Sequence, residues 1–534
     1  MWDYIVVGAG SAGCVLANRL SSDPNVKVLL IEAGGWDWHP LIRLPLAWPV
    51  LLGRKIADWG YDTEIDKQIG RGMECARGKV IGGSSSTNAM AWVKGHPADY
   101  DRWDDAGLSG WDHHSLLTYF KKIEDWTGRN SGMRGTSGPL TVEPSDFSDP
   151  ICDSFRETVH RLGHNLGTDY NSTDTLGFSP WQMTRANGRR ASSASAYLHP
   201  VLSRPNLKVM VRTHATGLVF DGDRVVGLRC RRKGRDFSLR VSEEILLCGG
   251  AINSPQLLML SGIGRADELE EHGISCRINL PGVGANLQDH ISSSVICERS
   301  DRGTLINNLR IDRLAASMMN WVVSGAGIGS QLPVGDMGFL QIRNSTEQPD
   351  LQVIAVAGSL SAKPWLPLIS EPRQDLFTLR AVVLHPESRG QIRLRSPDPF
   401  DKPLIEQNFL TANADRSLLR DGLRRLLEFT RTEPLSEHIS SIVGPTAEDD
   451  NSLDDHIAST AISVHHPAGT CRMGDETDPG RVVDSSLRVV GVKGLRVVDA
   501  SIMPDLTGGN INAPVMMIAE KAADMIGAQK GGSQ

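Results

Sequence analysis

Tyr4-Ile5-Val6-Val7-Gly8-Ala9-Gly10-Ser11-Ala12-Gly13 begins as a short apolar run and ends in three spaced glycines. Residues 4–7 read as a buried strand, and 11–20 as the helix that follows it. Gly8 serves the tight turn, Gly10 lets the backbone approach a pyrophosphate, and Gly13 lets helix and strand pack closely. Ser11 stands at the helix N-terminus, whose free N–H groups and positive dipole end suit phosphate. A second apolar run, 26–31, ends in Glu32, 19 residues after Gly13. An acidic residue at about that spacing is placed to bind a ribose hydroxyl. Strand, glycine turn, helix, strand and acid in that order predict a Rossmann-type dinucleotide site. The motif does not separate FAD from NAD.

Two further apolar runs bounded by glycine lie at 245–248 and 495–498. If they join 4–7 and 26–31 in one parallel sheet, the first domain is discontinuous in sequence. Between them the pattern changes. Gly390-Gln391-Ile392-Arg393-Leu394-Arg395 alternates, and Ser396-Pro397-Asp398-Pro399 signals a turn. Residues 415–432 read as an amphipathic helix carrying Leu418, Leu419, Leu423, Leu426, Leu427 and Phe429. The expected fold class is therefore α/β: a Rossmann-type domain with a parallel sheet, interleaved with an α+β substrate-binding domain on an antiparallel sheet. Residues 1–150, 191–299 and 463–534 are assigned to the first, and 151–190 and 300–462 to the second.

The chain has 534 residues, enough for two cores, with 40% apolar and 22% charged residues. A net charge of −7 without long like-charge runs argues against a nucleic-acid partner. The apolar runs are too short for a membrane span, and the N-terminus lacks the basic segment of a signal peptide. The eight cysteines are scattered without a C-x-x-C pair. That pattern predicts neither a disulfide framework nor a metal site, and a cytoplasmic location.

Arg77-Gly78-Lys79-Val80-Ile81-Gly82-Gly83-Ser84-Ser85-Ser86-Thr87-Asn88 is a loop rich in glycine and hydrogen-bond donors. Continued to Asp99-Tyr100-Asp101-Arg102-Trp103, it resembles the first signature of the glucose-methanol-choline (GMC) oxidoreductase family. Gly250-Ala251-Ile252-Asn253-Ser254-Pro255 through Gly262-Ile263-Gly264 resembles the second. The likeness continues through Asn286-Leu287-Gln288-Asp289-His290, His466-Pro467-Ala468-Gly469-Thr470 and 499–514, in the family's order. It implies FAD. It also implies that Ala215 lies against the adenine, that Asp499 and Gly509 lie near pyrophosphate and flavin, and that Asn88 and Ala89 line the isoalloxazine. Ala33, Gly82, Gly83, Ser84, Ala500, Asn510 and Asn512 complete the cofactor-binding set. Some relatives attach FAD through a histidine in the glycine loop. The matching residue is Thr87, so FAD is expected to be non-covalent.

The resemblance makes His466, directly before Pro467, the base that takes the alcohol proton; histidine suits this task because its pKa lies near operating pH. Asn510, 44 positions on, is the second catalytic residue, an amide that hydrogen-bonds the alcohol oxygen. His465 is taken as structural. Asn512-Ala513-Pro514 reads as a helix start whose positive end would face the flavin. The implied activity is oxidation of a primary alcohol by hydride transfer to flavin, with oxygen or another electron acceptor as second substrate. Choline-type relatives carry a glutamate that faces the trimethylammonium group. The matching position is Gly335, and Asp336, one residue off, would point to the other face. Aromatic or heteroaromatic alcohols, then polyols, are the expected substrates. Choline dehydrogenase and a hydroxynitrile lyase-like enzyme are the alternatives.

Overall fold

A computed structural model describes residues 1–129, 132–172, 175–343, 348–359, 361–372 and 374–531. Residues 532–534 lie outside this set. Trp2–Val7, Val28–Ile31 and Leu495–Val497 do share one seven-stranded sheet. Leu207–Met210 flanks Val28–Ile31, and Arg235–Leu247 stands between Trp2–Val7 and Leu495–Val497. All these pairings are parallel. The strands read as unbroken apolar runs because both faces are covered. The 13-residue strand Arg235–Leu247 changes partners along its length. Its second half joins the parallel sheet, and its first half pairs antiparallel with Arg224–Arg232, which pairs with Thr213–Asp221.

Two helices cover the glycine turn. Ser11–Leu20 packs against the C-terminal helix Asn512–Gly531, whose Ala513, Met516, Ile518, Ala519 and Ala522 are all buried. Fully buried Glu520 pins the two together. It accepts a forked pair of hydrogen bonds from Arg19 at 2.7–3.0 Å, another from the Tyr197 hydroxyl at 2.8 Å, and meets Lys122 at 3.1 Å. Arg19 and Lys122 are part-exposed, so what a neutral side chain at 520 loses is the charge-assisted part of these bonds. Glu520→Gln should therefore cost about 1.5 kcal/mol in urea denaturation of the holoprotein.

The second sheet is antiparallel throughout. Its order is Ile439–Gly444, Ile291–Arg299, Leu376–Val383, Leu351–Ala357, Val334–Leu340 and Gly177–Pro180. The helix Asn413–Arg431 lies on one face and buries all six apolar residues read from its sequence. The other face carries Met337, Phe339, Ile354 and Val356 toward Ala89, Ala91 and Trp48.

Two assignments need correction. Ile291–Arg299, placed above with the first domain, is an inner strand of the antiparallel sheet, with Val295 and Cys297 in that sheet's core. The alternating stretch at 390–395 does not join that sheet. Gln391–Arg393 pairs only with Leu404–Glu406, and Ile392, Leu394 and Ile405 pack into the first core. Alternation gives the pleat of a strand but not the sheet that it joins.

Candidate active site

The glycine turn is closed by contact. A Cβ on Gly13 would fall 1.9 Å from the Gly8 carbonyl oxygen, and one on Gly8, at φ +102°, 2.5 Å from that of Cys248. Gly10 is different: a Cβ there would meet nothing nearer than 3.9 Å. The open side of the turn thus lies at the helix N-terminus, where a phosphate fits. The second glycine loop packs against it. A Cβ on Gly83 would lie 2.7 Å from Gly10 Cα, and the Gly82 N–H donates to the Ala9 carbonyl at 2.7 Å.

One cavity runs from this turn to His466 and Asn510. Gly8, Gly10, Ser11, Glu32, Ala33, Gly83, Ser84, Thr87, Asn88, Ala89, Ala215, Asp499, Ala500, Asn510, Asn512 and His466 all line it. Gly13, Gly82 and Gly509 do not; they shape its wall from behind. Gly509, at φ +126°, makes the turn before Asn510, and a Cβ there would collide with Val93. Asn512 is the first residue of its helix rather than the cap before it, and its side-chain oxygen accepts from Ser11 Oγ at 2.8 Å. That bond ties the two helix N-termini that meet at the cavity.

The two buried carboxylates in this wall are held in place by donors. Glu32 accepts from the Ala9 N–H at 2.9 Å and the Gly34 N–H at 2.7 Å, and burial raises its pKa to about 7. Asp499 accepts from Gly250 N–H, Ser254 Oγ, and both Ser501 N–H and Oγ, at 2.6–2.8 Å.

At the far end the geometry fixes a proton. His290 Nε2 lies 2.9 Å from the Leu384 carbonyl oxygen, which can only accept, so this nitrogen carries the hydrogen. Burial pushes the His290 pKa down to about 3, so the ring is neutral and its Nδ1 is a bare acceptor. His466 Nδ1, 2.9 Å away, must then be the donor. His466 Nε2 is left with its lone pair, directed at the Asn510 amide NH2 3.1 Å away. The Asn510 carbonyl oxygen in turn accepts from Gln352 Nε2 at 3.4 Å. Burial, then His290, Arg77 and His465, hold the His466 pKa well below its ordinary value. The result is a neutral imidazole with a basic nitrogen beside an amide donor.

The surrounding frame holds this pair in place. Asp289 accepts from the His466 N–H at 2.8 Å and from Ser463 Oγ at 2.6 Å. His465 is bent into a left-handed conformation, φ +64°, with its carbonyl held by Arg77. Asp99 takes the Gly508 N–H at 2.8 Å and so fixes the turn that carries Asn510. Arg190, deeply buried, donates to the Asn88 backbone and side-chain oxygens at 2.6 and 2.8 Å and to the Ile42 carbonyl. Sequence reasoning passed over His290, Gln352 and Arg190. His290 stood in a quoted motif, but only a long-range contact reveals its role. Gln352 and Arg190 carry no local signal.

The GMC oxidoreductase family profile matches this chain over residues 2–292 and 386–519. The oxygen-dependent choline dehydrogenase of Brucella anthropi is 38% identical over 530 residues, covering 98% of this chain and 95% of that protein. The mitochondrial choline dehydrogenase of Homo sapiens is 39% identical, covering 99% of this chain and 90% of that one. The crystal structure of pyridoxine 4-oxidase from Mesorbium loti superposes with a TM-score of 0.88 at 34% identity, covering 99% of both chains.

Proposed function

The chain belongs to the GMC oxidoreductase family, and on that premise we propose that it oxidises a primary alcohol to the aldehyde with His466 as base. The cofactor is FAD. The observation that carries the proposal is the bare His466 Nε2, fixed by His290 and facing Asn510. His466 takes the hydroxyl proton, and the Asn510 NH2 donates to the oxygen that becomes an alkoxide. When bound, FAD supplies the two-electron acceptor for the hydride leaving the alcohol carbon. Glu32, Ala33 and Ala215 are placed to hold the adenosine end. The two helix N-termini joined by Ser11 and Asn512 are placed for the phosphates and for charge on the reduced ring.

Thr87 lines the cavity where some relatives use histidine, and it offers no ring nitrogen. Acid precipitation of the holoprotein should therefore give a colourless pellet and a yellow supernatant. A pellet that keeps the colour would show a covalent link.

Aromatic and heteroaromatic alcohols, then polyols, are the substrate classes favoured. The 34% identity to a pyridoxine oxidase over the whole chain supports the first. Choline is the second reading, on the identity to choline dehydrogenases. Against it, Asp336 points away from the cavity and pairs with Arg156 at 3.3 Å. Val464 lines the cavity beside His465, where oxygen or another acceptor would meet the reduced cofactor. Among the described residues no helix is long and apolar enough to cross a membrane. All eight cysteines are free.

A further inference from the structure

We propose that Arg380 is the anion-recognition residue of the substrate cavity, and that the preferred alcohol carries a carboxylate away from its hydroxymethyl group. This rests on the alcohol-oxidation reading and deepens it. Arg380 lies in the strand Leu376–Val383. Phe377, Leu379, Ala381 and Val383 of that strand face the core beneath the helix Asn413–Arg431, so Arg380 is on the opposite, cavity-side face. Its register partner is Ile354, and the next rung pairs Val382 with Gln352, the residue that touches Asn510. Diagonal neighbours in a sheet are about 7–8 Å apart, well within the reach of an arginine. Arg380 thus shares a sheet face with Gln352, one rung away, whose amide reaches Asn510.

The side chain is half-buried, yet it makes no hydrogen bond and no ion pair among the described residues. Burial alone pulls its pKa down to about 10. Its charge also helps to hold down the pKa of His465, which lines the cavity. Arg190 shows the ordinary solution to a buried guanidinium, a set of backbone and amide oxygens. Arg380 has none. Glu298 lies two rungs further along the same face and forms no ion pair among the described residues, and Asp336 is turned to the other side. A half-buried guanidinium with no protein partner among the described residues keeps its N–H groups open to a ligand. A ligand carboxylate would accept two of them in a fork, a geometry that suits a guanidinium. The same charge repels a trimethylammonium group.

The test is a titration of oxidised holoenzyme with 4-methylbenzoate and with 4-methylbenzamide, following the visible flavin band. The carboxylate should bind about 30-fold more tightly than the amide, the range of a charge-assisted hydrogen bond. Arg380→Gln should erase that difference and leave amide binding unchanged, while Arg380→Lys should keep part of it. Equal affinities in the native enzyme, or equal losses for both ligands in Arg380→Gln, would overturn the proposal. Anaerobic addition of 4-(hydroxymethyl)benzoate separates the two claims. Bleaching dependent on Arg380 supports both. Arg380-dependent binding without bleaching by any alcohol upholds the anion site and sinks the alcohol-oxidation reading.

Discussion

His466→Ala should slow anaerobic reduction of the flavin by alcohol about a thousandfold, within the range of a lost general base. The loss should appear in the rate of reduction at saturating alcohol, because the step removed is proton abstraction, not binding. FAD content should not change, since the His466 side chain meets the protein through His290 and Asn510 and shares no bond with the glycine turns. The pH profile adds a second check. A histidine whose folded pKa is lowered stays neutral, and competent as a base, below the pH at which a free imidazole protonates. Burial and the neighbouring His290 and Arg77 lower His466 in this way. The native rate should therefore stay level as pH falls through 6.5. A fall centred there would mean that the base is exposed or is another residue.

His290→Phe should cost about a hundredfold in the same step, although His290 need not touch the alcohol. Its Nδ1 is the acceptor that keeps the His466 proton on Nδ1. Without that acceptor His466 can place its proton on Nε2, and a protonated Nε2 cannot accept the hydroxyl proton. The relevant precedent in physical terms is the serine-protease triad, where the wrong histidine tautomer costs about 10⁴ with the geometry intact. His290→Asn returns a carbonyl oxygen that can accept from Nδ1–H, and it should recover most of the rate. A merely structural role predicts otherwise: both variants would lose flavin and thermal stability together, and Asn would give no rescue.

The parallel sheet was legible because its strands are buried on both faces and are punctuated by glycines with specific steric tasks. Gly8 and Gly13 fill those tasks atom against atom. The helix Asn413–Arg431 was legible because one face repeats at helical spacing. What the sequence did not show was pairing at a distance. Ile291–Arg299, with its serines and charged end, carries no local mark of its sheet, and only its neighbours 376–383 and 439–444 decide it. The site divides in the same way. His466 and Asn510 were found through a family likeness, and the structure brings them to 3.1 Å. His290 and Gln352 act through contacts 176 and 158 residues apart, which no local pattern encodes. Gly509 makes the turn that carries Asn510, at a φ of +126° that favours glycine.

The central claim is flavin-dependent alcohol oxidation. Its most direct test is the visible spectrum of the purified holoprotein, recorded without oxygen before and after a panel of benzylic, heteroaromatic and polyol alcohols. A flavin band that bleaches with at least one alcohol, with aldehyde formed in equal amount, is the predicted result. A bound flavin that no alcohol bleaches, or a protein that takes up no FAD on reconstitution, would contradict it.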